Sequence, residues 1–365
     1  MNKKVINTAL SLGLFLLLFI PMGINHSRLF KPLTVYGVES EVKNDTVSWW
    51  DGSAQKQFDE NLMASSIARS YFIRIRNQYQ YSLFHKINAK DIYEYNDLFF
   101  RFYSFTFNEE HNFIGEEKVK EKVRLLKRIQ DELGDETPII TVIAPSKMQY
   151  YKDRLPAKHR TNSLQTNYVY FLKELKKNKL DVVDFNRFFL DNRSTTPAVF
   201  GSGGIHWSEH ACATAMDSLV KFVSHRKGVE FARFDIEPWF NNGFSEQDLD
   251  ISLMLNRIVK PKDNNLRAVK LSPIPNQRKI KAVIITDSFC FTIFTTGAGD
   301  LIFTPDTYFH YYFGSTYTGK WATVNWENSQ LSEDLAGADC VIILTDIVNM
   351  ENFGFGFIEE AVKKN

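Results

Sequence analysis

The sequence predicts an α/β fold, a doubly wound parallel sheet behind an N-terminal membrane anchor. Three observations carry this. Four short apolar runs, "PIITVIAP", "LDVVDF", "KAVIITD" (281–287) and "CVIILTD" (340–346), punctuate the chain. Segments with helical spacing of apolar residues separate them, and strand–helix alternation is the mark of a parallel sheet. An uncharged stretch, Val5 to Ile24, opens the chain.

The N-terminal stretch follows Lys3 and Lys4. A spanning helix needs ~20 mainly apolar residues, which this stretch just reaches. The segment after it, "PMGINHSRLF", is a poor match to a small-residue cleavage site. Residues 1–25 therefore read as a signal anchor or signal peptide, with the uncleaved anchor preferred, and the main body is expected on the periplasmic or extracellular side. Residues 26–84 read as a juxtamembrane connector ending in a packing helix rich in aromatics and arginine, "SIARSYFIRIRNQYQYSLF". Residues 85–365 are left for the main domain.

Within that domain Val119, Val123, Leu126, Ile129 and Leu133 repeat at helical spacing, and Gly134 sits where a C-cap belongs. "PIITVIAP" is a strand bounded by prolines; "YVYFLKELKK" is a helix, and "LDVVDF" is the next strand. A helix starts near Ser208, a natural N-cap. Residues 226–280 read as an insertion or long excursion before the last two strands. Strands covered on both faces appear as continuous apolar runs, and in this architecture ligands bind beyond their carboxyl ends. Chemistry is therefore expected in "APSK", "DFNR", "TDSF" and "LTD", which follow the four runs.

Composition excludes some classes. A net charge of +1 over 365 residues gives no basic footprint for nucleic acid. Neither a Walker A sequence nor G-x-G-x-x-G occurs, so no nucleotide is implied, and no other cofactor is. The three cysteines, Cys212, Cys290 and Cys340, lie in apolar neighbourhoods and read as buried thiols.

Two residues stand out as candidate machinery. Ser288 directly follows the run "VIITD", where a hydroxyl would be exposed at the sheet's end with its own N–H facing a developing oxyanion. It could equally cap the next helix. His206 lies in "GSGGIHWSEHA", on a glycine-rich loop just ahead of a helix, free to point into a site. It is a candidate general base, or a histidine satisfied by local hydrogen bonds. "HWSEH" is also literally H-x-x-E-H, a zinc-peptidase pattern, which requires His206 and His210 on one helical face. Because Ser208 between the histidines favours a helix that starts after His206, no metal site is assigned.

Taken together, these motifs resemble the alginate O-acetyltransferase family, exported SGNH-hydrolase-like proteins that acetylate extracellular polysaccharides. The resemblance covers roughly residues 85–350. "GIHWSEHA" occupies the place of the family's Asp-x-His-Trp motif, and "IITDSF" that of its strand-terminal serine. "DISLMLN" looks like its D-L-x-x-M-L segment, and "VIAPSKMQYYKDRLP" like its strand, Pro, Ser/Thr-Lys, Tyr and closing Leu-Pro. The resemblance implies an SGNH-hydrolase-like sheet in which Ser288 attacks an acetyl donor with His206 as base, then passes the acetyl to a sugar hydroxyl. It also implies a polysaccharide acceptor and a membrane-bound acyltransferase as acetyl supplier. Lys147, Trp207 and Asp287 are the candidates for the substrate and oxyanion site beside the Ser288 N–H. One position departs from the family: Gly204 stands where the triad Asp is expected. Asp346 is the tentative substitute acid and Asp184 the alternative, each ending a strand. Without a substitute, the chain would be a non-catalytic polysaccharide-binding or assembly protein; with one, an acetyl esterase is the alternative to a transferase.

Overall fold

The protein is represented by a computed structural model that describes residues 3–27, 29–37, 47–102, 112–160, 165–194, 198–239, 248–260, 266, 268–275 and 277–363. The chain divides into two compact units, Met1–Lys90 with Ile251–Pro261, and Asp91–Asp250 with Lys262–Asn365.

The four apolar runs are strands of one sheet in the larger unit. In chain order the strands are β1 (Ile92–Tyr95), β2 (Leu98–Arg101), β3 (Ile139–Ala144), β4 (Asp181–Asp184), β5 (Phe234–Trp239), β6 (Ala268–Pro273), β7 (Ala282–Thr286), β8 (Tyr308–Tyr311), β9 (Ser315–Thr318), β10 (Thr323–Val324) and β11 (Cys340–Asp346). Seven of them form a sheet in the order β10-β9-β8-β7-β11-β3-β4. β11 lies at the centre of the five parallel strands, paired with both β3 and β7, while β4 and β8 continue the parallel pairing outward. The far edge departs from the all-parallel expectation, because β9 and β10 run antiparallel. The cause is local. Tyr312 and Phe313 adopt left-handed backbone, at φ 47° and 51°, and turn the chain straight back from β8 into β9, a connection too short for a parallel crossover.

Helices cover both faces. In chain order the helices of the whole chain are α1 (Lys3–His26), α2 (Ser53–Ser65) and α3 (Ile67–Phe84) in the smaller unit, then α4 (Glu116–Leu133), α5 (Lys147–Tyr150), α6 (Asn167–Lys177), α7 (Phe185–Asp191), α8 (Glu209–Lys227), α9 (Asp250–Met254), α10 (Cys290–Thr295), α11 (Ala298–Ile302), α12 (Leu331–Ala336) and α13 (Phe357–Lys363). Successive strand residues point to opposite faces, and the two cores divide accordingly. Ile140, Val142, Ile284, Ile342 and Leu344 pack with α7, α8, α10 and α11. Ile139, Ile143, Val283, Ile285, Val341 and Ile343 pack with α4, α6, α12 and α13. Each such side chain contributes about 1.5–3 kcal/mol on burial, which is why the central strands tolerate no polar alternation.

Capping fixes where the helices lie relative to the sheet. Gly134 ends α4 at φ 68° with its N–H donated to Gln130 O. The Ser208 hydroxyl accepts from Ala211 N at the start of α8, and His225, Arg226 and Lys227 fill its last turn against the helix dipole. The excursion after α8 contains β5 and β6, paired antiparallel over six residues as a stem that closes the segment bearing Asp250. All three cysteines are buried.

In the smaller unit α1 contains Val5–His26, 22 residues of mean hydropathy 2.1, the one helix among the described residues long and apolar enough to cross a membrane. Asn25 near its end ties it to the start of α3, accepting from Ala68 N at 2.8 Å.

One buried group makes the sheet acid-sensitive. His310 on β8 is 1% exposed, and burial lowers its pKa from 6.5 to about 4. A histidine depressed in the folded state takes up its proton first in the unfolded chain, so stability is complete above pH 6.5 and falls as pH drops toward 4. The full shift corresponds to about 3 kcal/mol. Chemical denaturation at pH 7 and pH 4 is expected to register this loss in the native protein and a smaller one in His310→Gln.

Candidate active site

The serine end of the site is built by a tight turn at the carboxyl end of β7. Asp287 is fully buried and turned away from solvent. Its Oδ1 accepts from Phe289 N at 3.0 Å, and its Oδ2 accepts from Asp346 N at 2.7 Å and from Asn349 Nδ2 at 3.1 Å. These bonds lock the turn to the end of β11 and leave Ser288 projecting at the surface. Burial raises the Asp287 pKa, against the pull of the three donors. Among the described residues no acceptor pairs with the Ser288 N–H, so that donor is open to an oxyanion. Ser288 does not cap α10, whose preceding residue is Phe289.

The histidine end is a loop held from beneath. Lys147 follows β3 and is 4% exposed. Its ammonium donates to the carbonyls of Gly201 at 2.8 Å, Ser202 at 2.9 Å and Gly204 at 2.6 Å. A buried charge is costly unless its donors are used, and three carbonyls from one loop use all three. At Gly201 a side chain is excluded, because a Cβ would meet the Asp248 carbonyl oxygen at 2.7 Å. Further along, Trp207 is wholly buried and donates its Nε1–H to Phe289 O at 3.2 Å. The residues flanking the candidate base and nucleophile are thus bonded to each other.

His206, 8% exposed, sits between these supports. Its Nε2 lies 2.8 Å from Ser288 Oγ, and its ring packs edge-on against Phe289. On the other side Nδ1 lies 2.7 Å from Asp250 Oδ2. Asp250 Oδ1 in turn accepts from Ile205 N at 2.8 Å, so the carboxylate grips both the imidazole and the backbone that carries it. The three side chains lie in line, an arrangement with the chemistry a nucleophile, base and acid require.

Several expectations are corrected by this geometry. The carboxylate on His206 is that of Asp250, not of Asp346 or Asp184. Asp346 Oδ1 accepts from Asn349 N at 2.8 Å and caps the turn after β11. Asp184 caps α7 through Arg187 N at 3.0 Å and accepts from Tyr168 Oη at 2.8 Å. Both obey the ordinary preference of strand-terminal aspartates for the next helix. Lys147 is not at the oxyanion, since its ammonium is spent on the carbonyls of the His206 loop. Trp207 and Asp287 are buried supports rather than substrate contacts. As for the zinc pattern, α8 begins at Glu209, so His206 and His210 share no helical face. Asp250 was the residue the sequence reading overlooked. It opens "DISLMLN", a segment already marked by the family resemblance.

Residues 100–246 match the family model described as the SGNH hydrolase-like domain of the acetyltransferase AlgX. The match contains Lys147 and His206, while Asp250 and Ser288 lie beyond it. Among solved structures, the O-acetyltransferase domain of Pseudomonas putida AlgJ is 15% identical with a TM-score of 0.47, over 75% of this chain and 99% of that one. Bacillus cereus PatB1 is 12% identical with a TM-score of 0.47, over 72% of this chain and 98% of that one. Pseudomonas aeruginosa AlgX is 11% identical with a TM-score of 0.45, over 74% and 67% respectively. Compared by sequence, no curated protein matches.

The loop supports lead to two expectations. Lys147→Met leaves three carbonyls without their charged donor and is expected to cost about 2–3 kcal/mol in thermal or denaturant unfolding. Hydrogen exchange at residues 202–207 should accelerate in that variant, with the β11 amides unaffected. Gly201→Ala is expected to push the Asp248 backbone away and raise exchange in the same loop.

Proposed function

We propose that this chain, which carries an SGNH hydrolase-like domain of the AlgX family over residues 100–246, is an O-acetyltransferase that acts on a polysaccharide through an acetyl-serine intermediate. The observation that carries this reading is the Ser288–His206–Asp250 line, with 2.8 Å and 2.7 Å across the imidazole.

The chemistry follows from the protons. A carboxylate only accepts, so the proton between Asp250 and His206 belongs on Nδ1 and Nε2 carries the lone pair. Ser288 Oγ attacks the carbonyl carbon of an acetyl donor as its proton passes to Nε2. The oxyanion faces the Ser288 N–H, and the Asp250 carboxylate stabilises the imidazolium. The C–O or C–S bond to the leaving group breaks, and His206 returns the proton to it. A sugar hydroxyl then gives its proton to Nε2 and attacks the acetyl-serine; collapse releases the O-acetyl sugar and Ser288 recovers its proton. An acid at Asp250 removes the argument for a binding protein with a degenerate triad. The apolar N-terminal helix supports anchoring with the domain on the extracytoplasmic side, where a membrane-bound acyltransferase would supply the acetyl groups.

Intact mass after incubation with p-nitrophenyl acetate tests this. The wild-type chain should gain one acetyl group, mapped by peptide analysis to Ser288. The adduct should be absent from Ser288→Ala and form at least about a hundredfold more slowly in His206→Ala. A folded wild type that gains nothing and turns over no ester contradicts the proposal.

A further inference from the structure

A second feature lies on the same end of the sheet, beside the turn of Ser288. Between the start of α4 and the segments that follow β8 and β11 is a cleft of about 530 Å³, lined by Lys118, Tyr312, Glu351, Asn352 and Phe355 among others. Its two aromatic rings meet edge to face, with centroids 5.2 Å apart at 90°, and Tyr312 is 40% exposed. Both residues are held in left-handed backbone, Tyr312 at φ 47° and Phe355 at φ 50°. At Tyr312 this is the turn from β8 into β9, and it sets the ring at the rim of the cleft.

The polar groups of the cleft are divided in a telling way. Lys122 is paired with Glu359 at 2.7 Å. Lys118 and Glu351 make no ion pair or side-chain hydrogen bond among the described residues, so a donor and an acceptor are left for a ligand. Two lysines face two glutamates, and the lining has no net field to select a polyanion. An aromatic platform with unspent hydrogen-bonding groups and no net charge suits a neutral pyranose.

The cleft is connected to the nucleophile. Tyr312 N donates to Thr286 O at 2.8 Å at the end of β7. Asn349 Nδ2 bridges Tyr312 Oη at 3.4 Å and Asp287 Oδ2 at 3.1 Å, and Asp287 immediately precedes Ser288. We propose that this cleft is the acceptor subsite, binding a sugar unit of a neutral glycan with its ring against Phe355 and Tyr312 and its hydroxyls on Glu351 and Lys118. This rests on the acetyl-serine reading above.

The test separates the two steps in the full-length chain. Ser288 is acetylated with p-nitrophenyl acetate, and discharge of the acetyl group is timed with hexasaccharides of glucose, N-acetylglucosamine and mannose, with an oligouronate for contrast. At least one neutral hexamer should accelerate discharge saturably and independently of salt. In Phe355→Ala the ratio of glycan-dependent discharge to acetylation should fall about tenfold through a higher KM for the glycan. Glu351→Gln and Lys118→Met, at accessible positions, should show the same sign with unchanged melting. An acetylated wild type that no neutral hexamer discharges faster, or cleft variants that match wild type in glycan KM, overturn the subsite and leave the acetyl-serine intact. A wild type that never acetylates overturns both.

Discussion

A neutral imidazole has one nitrogen that donates and one that accepts, and which is which is fixed by its neighbours. In this chain the Asp250 carboxylate stands at Nδ1 and the Ser288 hydroxyl at Nε2. The carboxylate can only accept, so the lone pair is directed at the hydroxyl. A one-residue change in where the acid comes from would leave the ring free to turn or to adopt the other tautomer. Most of the surrounding structure serves to hold that ring between those two groups.

The supports come from four separate parts of the fold. The Ser288 turn is fixed by Asp287, whose carboxylate is bonded across to the end of β11. The His206 loop is fixed from below by Lys147, delivered from the end of β3. Trp207 and Phe289 fasten the two loops to each other. Asp250 arrives from the excursion stemmed by β5 and β6, and its second oxygen fixes Ile205. Burying an ammonium and a carboxylate beside these loops costs solvation, which hydrogen bonds offset only when every partner is in place. Ser288 and Lys147 are thus placed by the ends of parallel strands, as expected of an open α/β sheet, and Asp250 by an antiparallel stem.

Much of this was legible in the residues. β3, β7 and β11 are buried on both faces, so their sequences are apolar apart from threonine and a terminal aspartate. Ser208 and Gly134 announced the limits of α8 and α4 through capping chemistry. Ser288 and His206 were visible because one follows a strand and the other follows glycines. What escaped was whatever depends on distant pairing. β8 and β9 are short and mix aromatics with threonine, and only the left-handed turn at Tyr312 and Phe313 makes them a hairpin. Asp250 opens the marked segment "DISLMLN", but that segment does not say that the β5–β6 stem carries its carboxylate to His206. Strand-terminal aspartates such as Asp184 and Asp346 drew the assignment instead, although capping already employs them. Lys147 was a candidate for the oxyanion site because nothing in "APSK" says that a loop more than fifty residues later will take up its ammonium.

The central claim is that Asp250 supplies the acid missing at Gly204. The most direct measurement is the rate at which a fluorophosphonate labels Ser288 in wild type, Asp250→Asn, Asp346→Asn and Asp184→Asn, each checked for folding by circular dichroism. The account predicts that Asp250→Asn alone loses reactivity, on the scale of the about 10⁴-fold drop caused by the equivalent change in a serine protease. Full reactivity in Asp250→Asn, with the loss falling on Asp346→Asn or Asp184→Asn, would contradict it.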